Sequence, residues 1–376
     1  MAGNKYIVDW DTITRFVTEA FEKYGIPEED AKICTDVLLE SDRRGIESHG
    51  VNRFKPIYLD RIKSGVQKAV TNFEIVKETE TTAVVDGHDG MGQVIGYKSM
   101  QMAIEKAKKY GMGMVVVRNS CHYGIAGYYA KMACDQGLIG MSMTNSEAIM
   151  VPTFARKAMI GSNPIAVSMP ADPYPFFFDA STTVVTRGKL ELYNKMEKPL
   201  PEGWALDKNG HASTDAKDVL TNIVAKNGGG IMPLGGNTEL LGSHKGYGYG
   251  MLCEIMCSMF SQGTPSSRVN VGGKSGTCHG FMVIDPKVFG DPEAIKAHFS
   301  AFLQELRDTP KADGQTRIYT HGEKEAFAYK DRLENGIDVN QKTVVEMCDL
   351  ATYLGMDYKA YLGDVDITDK VETSYK

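Results

Sequence analysis

Three short stretches of this chain carry side chains whose types and spacing suit chemistry on a small acid. In Asp42-Arg43-Arg44-Gly45-Ile46-Glu47-Ser48-His49-Gly50-Val51-Asn52-Arg53, a histidine stands between a hydroxyl and a backbone-permissive glycine, four residues ahead of an arginine. Imidazole exchanges a proton near neutral pH and guanidinium grips a carboxylate at two points, so His49 and Arg53 suit proton transfer beside a bound acid. A histidine that only caps a turn fits the same residues, and both readings stay open. In Asn119-Ser120-Cys121-His122-Tyr123-Gly124, His122 follows a β-branched run and precedes a helix, a place suited to general acid/base work. A satisfied turn histidine is again the alternative. In Gly242-Ser243-His244-Lys245-Gly246-Tyr247-Gly248, a flexible loop presents Lys245 just before a helix. Such a lysine can hold a cofactor phosphate or ribose, or simply be an exposed loop cation.

Other chemistries find less support. No Gly-x-Gly-x-x-Gly occurs; Gly246-Tyr247-Gly248-Tyr249-Gly250 and Gly87-His88-Asp89-Gly90-Met91-Gly92 have the wrong spacing for a Rossmann turn. Gly273-Lys274-Ser275 imitates the end of a P-loop, but Arg268 stands where the leading glycine is required. Cys121 lacks any marked acyl-transfer partner. His88, His211, His279 and His298 show no metal-ligand spacing, and the methionines suit adaptable core packing, so no catalytic metal is expected.

The elements that must position these residues follow from periodicity. Ile13, Phe16, Val17, Ala20, Phe21 and Tyr24 recur at steps of three and four, which predicts an amphipathic helix from Trp10 to Tyr24, stopped by Gly25. A second helix is expected from Pro27 to about Arg44, burying Ala31, Cys34, Val37, Leu38 and Ser41 and ending at Gly45. Glu47 to Gly50 then falls at a helix junction. From Thr82 the pattern alternates: strand (Thr82 to Val85), helix (about Val94 to Lys109), strand (Met114 to Val117), helix (Ile125 to Gln136) and apolar run (Leu138 to Met143). Such alternation implies an α/β core paired through helical crossovers, with Asn119 to Gly124 at the carboxyl end of a strand. Residues 160 to 180 read as extended segments between prolines, and Lys198 to Gly230 as loop plus a short helix. Lys245 to Phe260 reads as a buried helix and Pro292 to Arg307 as an amphipathic one; the polar tail beyond about Tyr358 is expected to be extended or loosely ordered.

With 376 residues, 42% of them hydrophobic, the chain can bury one large or two modest cores. Its net charge of -6, spread along the sequence, lacks the basic footprint of a nucleic-acid binder. No apolar stretch is long enough to span a membrane and no signal pattern opens the chain, which predicts a soluble, cytoplasmic protein. Seven cysteines without a CxxC pair argue against a disulfide framework and a zinc knuckle.

Glu47-Ser48-His49-Gly50-Val51-Asn52-Arg53, Asn119 to Gly124 and Gly161-Ser162-Asn163-Pro164-Ile165-Ala166, in that order, resemble the malate/L-lactate dehydrogenase family, which includes ureidoglycolate, sulfolactate and diketogulonate-type oxidoreductases. The resemblance runs from about Val8 to Ile337. It implies an α/β, non-Rossmann NAD(P)-binding fold with an additional α-helical domain, and a homodimer. The expected division is 1–78 as an N-terminal helical part, 79–285 as the α/β cofactor-binding and catalytic part, and 286–376 as C-terminal helices packing with the first, plus a tail. By similarity, His49 and His122 are the acid/base candidates, and Ser48, Arg53 and Tyr58 line the substrate site. Cofactor contacts carry over to Ser146, to Asp179, Ala180 and Ser181, to Lys245, and to Gly322 and Glu323. Two departures touch these last contacts: the family's Asp-Met-Ala-Thr-Ser reads Asp179-Ala180-Ser181-Thr182-Thr183, and its Pro-Gly-Glu reads His321-Gly322-Glu323.

The resemblance therefore implies hydride transfer between NAD, or NADP, and a small 2-oxo/2-hydroxy acid, with malate first among the substrates. Lactate, sulfolactate, ureidoglycolate, sugar-acid and cyclic imine chemistries use the same geometry. A cofactor-binding regulatory protein without turnover is the rival from another class, disfavoured by the joint presence of His49, His122 and Arg53.

Overall fold

The computed structural model describes residues 5–365. Strand β1 (Lys5–Val8) leads into α1 (Trp10–Lys23), capped by Asp9, whose carboxylate accepts the Thr12 N–H at 2.9 Å. Its buried stripe, Ile13, Phe16, Val17, Ala20 and Phe21, is the one the periodicity predicts, and Gly25 ends the turn at φ +86°. Helix α2 (Glu28–Arg43) packs on it, burying Ala31, Cys34 and Leu38 in the shared core, while Val37, also buried, joins the core of the central sheet, and Ser41 is buried too. The chain then tightens into two 3-10 turns, Glu47–His49 and Val51–Arg53, widens into a π-turn over Phe54–Leu59, and closes with α3 (Asp60–Lys63).

The central sheet contains β2 (Glu74–Glu78), β3 (Thr82–Asp86), β4 (Met112–Ser120), β5 (Ile139–Thr144), β6 (Ile165–Met169), β7 (Phe176–Ala180) and, from much later in the chain, the strand Thr277–Ile284. Helices α4 (Gly92–Tyr110) and α5 (Ala126–Cys134) pack on it. Past β7 come α6 (Arg187–Lys195), α7 (Ala216–Ala225), and a small three-stranded sheet of β8 (Ala205–Leu206), β9 (Ala212–Ser213) and β10 (Gly230–Ile231). Helix α8 (Ser243–Glu254) follows and runs on as a π-turn to Met259; the late strand Thr277–Ile284 is β11.

The strand order is β2-β3-β4-β11-β5-β6-β7. The expected crossover pairing holds for β3 and β4, which are parallel neighbours joined through α4. Elsewhere it is corrected: β11 enters antiparallel between β4 and β5, and the remaining neighbours are antiparallel too. Strands β4 and β5 still point the same way, so both deliver their carboxyl ends, Ser120 and Thr144, to one edge.

After β11 come α9 (Pro292–Asp308), α10 (Glu323–Asn335), β12 (Ile337–Asn340), α11 (Gln341–Tyr353) and α12 (Lys359–Leu362). Strand β12 pairs antiparallel with β1, and Val344, Met347, Leu350 and Ala351 of α11 join the core of α1 and α2. The tail is less loose than expected: α12 is helical, Tyr361 stacks edge-on against Phe16, and Val365 is buried. Its remainder, 366–376, lies outside the described residues. The 245–260 segment is helical but not buried as expected: Tyr249, Leu252, Ile255, Met259 and Phe260 are exposed. Among the described residues no helix is long and apolar enough to cross a membrane.

Candidate active site

The Ser48-His49-Gly50 segment is held by a carboxylate eight residues upstream of the glycine. Val51 N–H donates to Asp42 Oδ2 at 2.8 Å, and a Cβ on Gly50 would stand 2.0 Å from Asp42 Oδ1. Only glycine lets the chain pass that closely. Burial pushes the Asp42 carboxyl up to about 7, against the lowering effects of the Val51 N–H and Arg332. Arg332 of α10 braces the segment, reaching the Asp42 carbonyl and Glu47 Oε1, the latter at 2.6 Å.

His49 and His122 meet across the gap between this segment and the β4–α5 turn, their rings stacked with centroids 5.8 Å apart at 16°. Ser48 Oγ lies 2.9 Å from His49 Nδ1. Behind His122, the Tyr58 hydroxyl lies 2.8 Å from Nδ1, and Gly124 N–H donates to the same nitrogen at 3.3 Å. Nε2 is therefore the ring nitrogen left for a ligand. A tyrosine hydroxyl both donates and accepts, so Tyr58 can follow Nδ1 through a change of protonation, whereas the longer Gly124 N–H contact exists only while Nδ1 carries no proton. Burial lowers the His49 pKa to about 4, with Arg53 adding to it, and holds His122 well below its ordinary range, helped by His49 and nearby arginines. Both rings are neutral at neutral pH. A proton on one raises the cost of a proton on the other, so the pair takes up at most a single charge.

A cavity of about 220 Å³ opens beside these rings. Arg53, Arg61 and Arg187 line it with a single carboxylate, Glu147. Arg53 Nε donates to the Ser48 carbonyl at 2.8 Å, and its Nη2 lies 3.8 Å from Glu191. Arg187 bridges Glu191 (3.1 Å) and Glu147 (3.7 Å). Among the described residues no carboxylate pairs with Arg61. The lining thus has cationic capacity to spare, which suits an anionic ligand.

Of the residues expected at the site, His49, His122, Arg53 and Ser146 line this cavity, while Ser48 and Tyr58 stand behind the histidines and hold them. Ser146 Oγ lies 3.2 Å from Ser162 Oγ, and Thr182 N–H donates to the Ser162 carbonyl, which joins the end of β7 to the cavity wall. Asp179 forms a second group with Gly322. Its carboxylate accepts Gly127 N–H at 2.7 Å at the start of α5, and Phe177 N–H donates to the His321 carbonyl beside Gly322. Burial raises Asp179 to about 6; Gly127 N–H opposes this and Glu325 adds to it. Ala180 and Ser181 lie between the two groups, Ser181 Oγ donating to the Thr183 carbonyl. Glu323 is fully buried and held ionised against that burial by Thr320, Arg317 and Arg307. Lys245 sits apart, in the first turn of α8.

Sequence reasoning missed Arg61 and Arg187. The signal for Arg61 was there: Arg53, Ile57 and Arg61 recur at steps of four, and all three line the cavity. Nothing in the sequence marked Arg187, which arrives through α6. Cys121 is fully buried, and burial pushes its thiol up to about 12, which argues against a nucleophilic role. Among the described residues no group of three or more His, Cys, Asp or Glu side chains stands close enough to hold a metal.

Residues 8–348 match the family model described as malate/L-lactate dehydrogenase. A malate dehydrogenase from Pyrococcus horikoshii is 42% identical over 92% of this chain and 95% of its own length. Among solved structures, malate dehydrogenase from Entamoeba histolytica superposes with a TM-score of 0.91 at 39% identity, covering 94% of this chain and 99% of that one. Sulfolactate dehydrogenase from Methanocaldococcus jannaschii gives 0.84 at 32% identity, covering 94% and 99%. With two histidines stacked over an arginine-lined cavity on a sheet of this topology, the chain belongs to the malate/L-lactate dehydrogenase family.

Proposed function

We propose that this protein interconverts a small 2-oxo acid and its 2-hydroxy acid, with a dicarboxylate of the malate and oxaloacetate type as substrate. The carrying observation is the placement of three guanidinium groups around a cavity that also presents His49 and His122. Arg53 takes the carboxylate next to the reacting carbon, by two-point contact. Arg61, free of any acidic partner among the described residues, takes the second carboxylate, while Arg187 is already shared between Glu147 and Glu191. Substrate anions offset the cationic field that adds to burial in keeping the histidines neutral, so binding itself raises their proton affinity. His122 then exchanges a proton with the substrate oxygen at Nε2, while Tyr58 adjusts its hydrogen bond at Nδ1. His49, tied to Ser48, keeps the rings in register.

A nicotinamide cofactor supplies or accepts the hydride. Ser146 at the cavity, Asp179, Ala180 and Ser181 with Gly322 and Glu323 around the start of α5, and Lys245 are the residues proposed to hold it. The Asp179 carboxylate already takes the Gly127 N–H at the start of α5, so this group suits the hydroxyl-bearing parts of the cofactor, to which a carboxylate is an acceptor. The acidic charge of Asp179 and Glu325 there supports NAD over NADP, whose extra phosphate it would repel. Seven unpaired, buried cysteines support a reducing, cytoplasmic setting.

The test follows loss of reduced-cofactor absorbance with NADH and NADPH against oxaloacetate, pyruvate, sulfopyruvate and diketogulonate. Turnover with oxaloacetate is expected. Arg61→Ala should raise its KM about tenfold or more, with a smaller effect on pyruvate, since an ion-paired contact is worth a few kcal/mol. Absence of turnover on every acid with both cofactors would overturn the reading.

A further inference from the structure

A second cleft, of about 930 Å³, lies on the other side of the segment 268–277 from the catalytic cavity. The two share that wall: Val269, Asn270 and Thr277 face the catalytic cavity, while Arg268, Lys274 and Gly276 face the cleft. Lys68 and Arg118 complete a basic lining. Of its two carboxylates, Asp86 is consumed by Arg118 (2.9 Å) and by both contacts from Asn119 Nδ2 (2.9 and 3.1 Å), which leaves Asp89. Among the described residues none of Lys68, Arg268 and Lys274 is paired with a carboxylate. Three uncommitted cations against one acid, in a chain whose net charge is -6, form a local island of positive charge.

The backbone is shaped to match. Gly272 and Gly273 turn through φ +68° and +75°, and no atom lies within 4 Å of the place a Cβ would occupy on either, so the loop before Lys274 is open to close approach. Of nine non-glycine residues with positive φ among the described residues, His88, Asp89, Asn119 and Gln262 line this one cleft. Conformations of that kind persist where surrounding structure enforces them and gather at ligand sites. Gly273-Lys274-Ser275 is thus not a P-loop, since it leads into a strand, yet it presents its lysine to an anion-sized space.

We propose that this cleft is a binding site for a phosphorylated small molecule, separate from the site of hydride transfer. A phosphate carries enough charge and acceptor oxygens to engage Lys68, Arg268 and Lys274 together, and the volume accommodates the organic part as well. Isothermal titration of the full-length protein with inorganic pyrophosphate tests this without any reference to turnover, so the outcome is independent of the proposed reaction. Saturable binding is expected, one equivalent per chain, weakened about tenfold or more in Lys274→Met and in Arg268→Gln. Both are exposed side chains, and turnover without pyrophosphate should be unchanged in both variants. Saturating NADH should leave the binding in place, and citrate should bind more weakly. Absence of saturable binding, indifference to both substitutions, one-for-one displacement by NADH, or tighter binding of citrate would each overturn the proposal.

Discussion

At the scale of single residues, the proton chemistry rests on how two neutral histidines are divided between chemistry and positioning. His122 has Tyr58 and Gly124 behind Nδ1, an arrangement that fixes the ring while leaving Nε2 to the ligand. His49 is anchored to its neighbour Ser48 and packs on the face of His122. If His122 moves the proton, His122→Ala lowers kcat by about 10² or more, the usual worth of a positioned acid/base, while His49→Ala acts mainly on KM. The reverse pattern would exchange the two roles. The pH profile gives a second reading. Oxidation of the hydroxy acid needs a neutral ring, and burial keeps His122 well below its ordinary value of 6.5 in the free enzyme. The kcat/KM for oxidation should therefore stay level as pH falls through 6.5, where an unperturbed histidine would already be losing activity. An inflection at or above 6.5 would contradict the assignment. Tyr58→Phe should leave the cavity wall intact yet impair proton exchange, because it removes the partner at Nδ1.

At the scale of elements, the site depends on Asp42, the last buried acid of α2, which no reading of motifs singled out for this role. Its folded pKa, about 7, stands above the ordinary 3.8, so the folded state binds the extra proton. Stability from that proton is fully present below about pH 3.8 and is lost as pH rises through about 7. Asp42→Asn cannot ionise and keeps an acceptor for Val51 N–H. The Tm of the variant minus that of the parent should therefore grow as pH is raised across this window; a constant difference in thermal melts would mean that Asp42 does not ionise there. Gly50 was legible in the sequence as a permissive position, but its reason, the carboxylate lying where a Cβ would be, belongs to tertiary packing. Helix α1 was legible in full, because its stripe and its stop are local signals. Strand β11 was not. It is buried along nearly its whole length between β4 and β5, so Thr277–Ile284 lacks the alternation that marks a half-exposed strand, and its partners lie far upstream. That insertion separates β4 from β5, which point the same way, and adds two antiparallel pairs to those already made by β2–β3, β5–β6 and β6–β7.

At the scale of the whole molecule, apolar composition and burial part company on α8 and its π-turn extension. Tyr249, Leu252, Ile255, Met259 and Phe260 fall in the stretch expected to be buried and are exposed in the single chain, between 40% for Leu252 and 54% for Phe260. A contiguous apolar face of this kind on a protein of this class marks an association surface. A homodimer of the kind the resemblance implies would supply its cover, since a two-fold contact brings the same face of two chains together. Lys245 starts this helix and stands away from the catalytic cavity of its own chain. If two copies pair through α8, Lys245 is held close to the interface, and cofactor binding becomes sensitive to assembly. Ile255→Asp places a charge in the middle of the face without touching the cavity, and light scattering after size exclusion should then report the mass of one chain where the parent reports two. The KM for the cofactor should rise in the same variant while the far-ultraviolet spectrum of the fold is retained. A parent protein that runs as one chain at micromolar concentration would remove the homodimer and leave the apolar face of α8 to a different partner.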